Sequence, residues 1–173
     1  MDFDVNQNIY ITALGIFDSG QNGIQNNIDA YIYNRDTQQI VASRHFGPTS
    51  MGLGDGTTNF LDLTSPLLLS AGFRGSIVVQ GYGVLEKNGN SFSSGSSYAT
   101  VLNDGGGLIS FTGRSRHGNF GYFPTTLDLN AAQYGAGNFK FQAVSPVPEP
   151  ATAAIATFTL ASLLRLRKSR RSA

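Results

Sequence analysis

Ile28-Asp29-Ala30-Tyr31-Ile32-Tyr33, the turn Asn34-Arg35-Asp36-Thr37 and the return Ile40-Val41-Ala42-Ser43-Arg44-His45-Phe46 decide the fold class. Ile28, Ala30 and Ile32 fall on one face and Asp29, Tyr31 and Tyr33 on the other, the period of two that extended chain imposes. The return run alternates in the same way, with Ile40, Ala42, Arg44 and Phe46 opposed to Val41, Ser43 and His45. Two such runs across a polar turn predict an antiparallel hairpin with one apolar face and one aromatic, polar face.

The flanking sequence extends that pattern. Upstream, Ile9 to Phe17 is apolar on both faces, as in a strand covered on each side, and it stops at the turn cluster Asp18-Ser19-Gly20-Gln21-Asn22-Gly23. Downstream, Gly47-Pro48 ends the return strand and residues 49–58 read as a Gly-rich loop. Phe60, Leu61 and Leu63, then Leu67, Leu68 and Leu69, form short apolar runs split by Ser65-Pro66, each a buried strand or a single helical turn. Ser76 to Tyr82 reads as strand and residues 83–106 as a long irregular loop. Leu108 to Thr112 and Asn138 to Val144 are the last strand candidates. About seven short strands, with no amphipathic helix and no fixed-period repeat, predict an all-β antiparallel sandwich or jelly-roll-like domain over residues 1–145.

Composition narrows the function. The 173 residues include 21 Gly and 6 Pro, only 13% are charged, and none is Cys, which excludes a disulfide scaffold, a Cys-ligated metal and a thiol nucleophile. A net charge of +1 hides a split, because residues 1–150 hold all 11 acids against seven bases and the rest holds five bases with no acid. The body is therefore anionic, which argues against nucleic acid as a partner, and the cationic end has a task of its own.

That end has three parts. Val147-Pro148-Glu149-Pro150 lies in a Pro-rich linker, 146–150, that the two prolines hold extended. Ala151 to Leu164 then carries no charge, Gly or Pro, and predicts a single C-terminal hydrophobic helix reaching about Lys168. At about 1.5 Å per residue the uncharged run is short for a hydrocarbon core of about 30 Å, a gap that snorkelling basic stems narrow. Arg165, Arg167, Lys168, Arg170 and Arg171 are expected to stay on the cytoplasmic side.

In this order, Pro-Glu-Pro, apolar span and Arg cluster resemble the PEP-CTERM sorting signal of bacterial exported proteins, over Val147 to Arg171. The resemblance implies that an exosortase, an integral-membrane enzyme similar to cysteine transpeptidases, recognises Pro148, Glu149 and Pro150. It also implies that the span and basic cluster of 151–173 are removed during delivery, so that the protein passes from the bacterial membrane to the cell surface or the extracellular space. Family members often belong to bacteria that make exopolysaccharide and biofilm or floc. This tail departs from the usual pattern in lacking Gly in its span and in the Leu166 and Ser169 interruptions. A plain tail anchor or an amphipathic terminal helix is the alternative. The stretch from Phe3 to Asp18 is similar to the opening of β-sandwich domains of the DUF4082 family, a likeness covering residues 3–144, in which further strand residues precede the Phe. With no signal peptide at Met1-Asp2-Phe3-Asp4, the expectation is a start inside the domain and an export signal upstream.

In the body, Asp18-x-Gly20-x-Asn22-Gly23 with Asn26 and Asp29 has the oxygen spacing of a calcium loop, but Gly stands at the third position and strands flank it. A hairpin turn is the reading adopted, with Ca²⁺ the alternative and no other cofactor expected. Asp55 and Asp104, beside glycines, read as turn residues. His45 and His117 are the only imidazoles, no Gly-x-Ser-x-Gly elbow occurs, and Glu86 is the only Glu of the body, so no catalytic constellation is assigned. His45 reads as a partly exposed structural side chain. Arg114-Ser115-Arg116-His117-Gly118-Asn119 reads as a basic loop able to meet an anionic sugar or phosphate. Tyr31 and Tyr33, with Tyr82, Phe120, Tyr122 and Phe123, could stack on sugar rings. Without a Trp, cover by the second sheet is the reading adopted. The function expected is a non-catalytic structural or adhesive module of the surface or extracellular matrix, with a carbohydrate- or calcium-binding lectin-like module as the alternative.

Overall fold

A computed structural model describes residues 1–89, 102–128 and 135–145. The Pro148-Glu149-Pro150 motif, the expected helix and the basic tail Arg165, Arg167, Lys168, Arg170 and Arg171 lie outside those residues. Among the described residues there is no helix. The strands are β1 (Asp2–Val5), β2 (Ile9–Phe17), β3 (Ile28–Asn34), β4 (Ile40–Phe46), β5 (Leu53–Asp55), β6 (Thr58–Leu69), β7 (Arg74–Gln80), β8 (Ile109–Phe111), β9 (Ser115–His117), β10 (Thr126–Asp128) and β11 (Gly137–Ala143). A five-stranded sheet, β4-β3-β7-β1-β8, and a four-stranded sheet, β11-β2-β6-β5, form a sandwich-like body, and β10-β9 is a separate ribbon. Every pairing is antiparallel.

The core lies between the two sheets. Phe3 and Val5 of β1, Ile9, Ile11, Leu14 and Ile16 of β2, Ile28, Ala30 and Ile32 of β3, Ile77 of β7 and Phe139 of β11 are buried in one cluster. Phe3 packs at 4.8 Å from Phe139, ring centre to ring centre. Its ring also lies over Gly75, its register partner, where a Cβ would come within 2.2 Å of the ring, so only Gly fits beneath it.

The deciding hairpin forms as expected, with Ile28 opposite Phe46, Ala30 opposite Arg44 and Ile32 opposite Ala42. Arg44 therefore sits on the core face, but on an edge strand. Its guanidinium crosses the open edge, donating from Nε to the Asp62 carbonyl of the other sheet (2.6 Å) and from Nη2 to Thr64 Oγ1 (2.9 Å). Arg44→Ala is expected to cost roughly 1.5–3 kcal/mol, read as a lower urea midpoint at unchanged slope.

Four expectations are corrected. The Gly-rich stretch 49–58 contains β5, which pairs with β6. The two leucine-rich runs form one strand, not two elements. Asp62 faces Ala13 and Leu67 faces Ile11, so Ser65-Pro66 falls in a wide bulge where the missing proline N–H breaks no ladder bond. The turn after Phe17 is not a hairpin but a crossover, because β2 and β3 belong to different sheets. Finally, the basic stretch after Arg114 is not all loop, since Ser115–His117 is β9.

Candidate functional site

Alternation sends one face of the five-stranded sheet into the core and leaves the other facing outward. Register lines up three rows on that outer face: His45, Asp29 and Gln80; then Ser43, Tyr31 and Val78; then Tyr33, Ser76 and Asp2. The third row is covered, though by the β9-β10 ribbon and its connection rather than by the second sheet. Phe123 meets Tyr33 edge-on at 5.4 Å, leaving Tyr33 3% exposed, and the Arg116 guanidinium lies 5.2 Å from the Phe123 ring centre.

A buried ion network anchors that cover. The wholly buried Asp2 carboxylate accepts a bifurcated hydrogen bond from Arg116 Nε (3.0 and 2.9 Å to its two oxygens) and lies 3.7 Å from Arg35 Nη1. Arg35 donates through Nη2 to Asp4 Oδ1 and to the Phe3 carbonyl (3.1 Å). Burial lowers the Arg35 pKa, and the Asp2 charge opposes that shift. Arg116 is thus committed to Asp2, which leaves the sequence expectation of an anion-binding basic loop without its central cation.

In the first row His45 is exposed, and Asp29 and Gln80 are half-buried. His45 Nδ1 lies 2.7 Å from Asp29 Oδ1, and Tyr31 follows Asp29 two residues on along the same face of β3. Partial burial raises the Tyr31 pKa, helped by the Asp29 charge. Gln80 pins the turn after Asn119: its Oε1 accepts from Gly121 N (2.8 Å) and its Nε2 donates to the Tyr122 carbonyl (3.4 Å). On that turn Phe120 is 68% and Tyr122 72% exposed. Tyr31, Tyr122 and the His45–Asp29–Gln80 row therefore share one solvent-facing surface.

Asp18 and Asn22 stand elsewhere, in the crossover. Asp18 accepts from the backbone N–H groups of Asn22 (3.2 Å) and Gly23 (3.0 Å) and from Asn59 Nδ2 (3.2 Å), so its oxygens hold the loop. Asp29 is turned to His45 instead. Among the described residues no group of three or more His, Cys, Asp or Glu side chains could hold a metal ion.

Sequence reasoning missed Glu86, which is wholly buried inside the irregular loop after β7 and accepts from the backbone N–H groups of Ser19 and Gln25. Its partners lie on a distant loop, and only its being the single Glu of the body marked it. Tyr82 is half-buried, accepting from Phe17 N (2.9 Å) and donating to the Ala136 carbonyl (2.6 Å). Burial pushes the Tyr82 pKa far above the usual phenol value. The folded pKa is raised, so its contribution to stability is intact below the unfolded value of about 10 and is lost as pH rises beyond it. In an alkaline absorbance titration Tyr82 should ionise only with unfolding, and Tyr82→Phe should reduce the amplitude of that step, leaving the part due to Tyr33.

No family model, curated protein or solved structure matches the chain.

Proposed function

We propose that this chain is a non-catalytic exported protein of a bacterial surface or extracellular matrix, sorted by an exosortase, with its β body as a structural or adhesive module. The observation that carries the reading is the order of the tail: Pro148-Glu149-Pro150, then an uncharged span, then five basic residues. Each part has a physical role in such a route. The prolines present Glu149 on a rigid extended frame, the span enters the bilayer, and the cations hold its end on the cytoplasmic side. Its partners are then the exosortase, the membrane before processing, and extracellular polysaccharide afterwards.

The body is compatible with that role. Its buried carboxylates Asp2, Asp18 and Glu86 are occupied by guanidinium or backbone N–H groups that hold strands and loops together. The test is intact-mass spectrometry of the chain, expressed behind an export leader in cells with and without an exosortase.

A further inference from the structure

We infer that the outer face of the five-stranded sheet, at Tyr31, Tyr122 and the His45–Asp29–Gln80 row, is a binding site for a neutral saccharide chain. This deepens the adhesive reading of the body and rests on it. Two observations carry the inference. Tyr122 is 72% exposed on a turn whose backbone is tied at two points to Gln80, so the position of the turn that presents its ring to water is set by those hydrogen bonds. An exposed aromatic ring offers an apolar platform to the C–H face of a pyranose.

Beside it, register places a carboxylate, an imidazole and an amide in one row across three strands. The Asp29 carboxylate and the His45 imidazole accept and donate hydrogen bonds to vicinal hydroxyls, the His45 contact orients that carboxylate, and Gln80 acts through the turn it holds. Charge selects a neutral ligand. Arg116 and Arg35 are engaged with Asp2 and Asp4, Arg74 is paired with Asp36, and Asp29 would repel an anionic polymer.

The experiment is affinity electrophoresis of the full-length chain in mild detergent, through gels containing mixed-linkage glucan, galactomannan, xylan or dextran, with alginate as the anionic comparison. At least one neutral polymer should retard the chain. Tyr122→Ala and Asp29→Asn should each weaken that retardation about fivefold to tenfold, with unchanged melting midpoints showing that both variants fold. The inference is overturned if no neutral polymer retards the chain, if alginate alone does, or if both folded variants migrate as the native chain does. None of these outcomes bears on tail cleavage, which is read from mass at the other end of the molecule, so the two readings fail separately.

Discussion

Chain exported behind a functional leader is expected to lose its apolar span and basic cluster in cells that contain an exosortase, and to keep them in cells without one. The effect is all-or-none in an intact-mass spectrum. Glu149→Ala or Pro150→Ala should convert processing from nearly complete to absent, leaving the uncleaved form in the membrane fraction, because recognition needs an acidic side chain on a frame whose φ is fixed. Neutralising Arg165, Arg167, Lys168, Arg170 and Arg171 together should disturb orientation or retention without altering the motif, since those charges oppose complete passage of the span. An unchanged mass in exosortase-containing cells, with the chain still in the membrane, would leave a plain tail anchor as the reading.

The second large effect is on stability. Asp2→Ala should destabilise the body by roughly 3–5 kcal/mol, because it removes a wholly buried carboxylate from between two guanidiniums, leaving Arg116 without its acceptor and Arg35 with only Asp4 and the Phe3 carbonyl. For a domain of this size that is a fall in melting midpoint of roughly 10 °C or more. The cost includes the cover over Tyr33, since Arg116 holds β9 against β1 and lies against Phe123. Arg74→Ala is the matched control: its pair with Asp36, 2.7 Å apart, is more than half exposed on both sides, and its loss should cost under about 1 kcal/mol. Equal melting midpoints for Asp2→Ala and Arg74→Ala would refute the anchoring role of the buried network.

Local patterns of the sequence were enough for the β3–β4 hairpin, for the double-faced burial of β2 and for the clean alternation of β11. In each, period two and turn chemistry act over a few residues, and neighbours along the chain are neighbours in the fold. The proline inside the leucine-rich stretch suggested a break because a missing N–H ends most ladders. The sheet absorbed it in a bulge, which depends on β2 opposite and is invisible from β6 alone.

The sequence by itself determined the all-β class, the main hairpin and the order of the tail, an order read along the chain without reference to any distant residue. Only the tertiary structure decided which face of β3 is covered and by what, that the crossover carboxylates hold loops, and that Gln80 pins the turn exposing Tyr122. Periodicity says which side chains share a face. What lies above that face depends on pairings such as Asp2 with Arg116 and Ser19 with Glu86, whose partners lie far apart along the chain and meet only when the sheets pack.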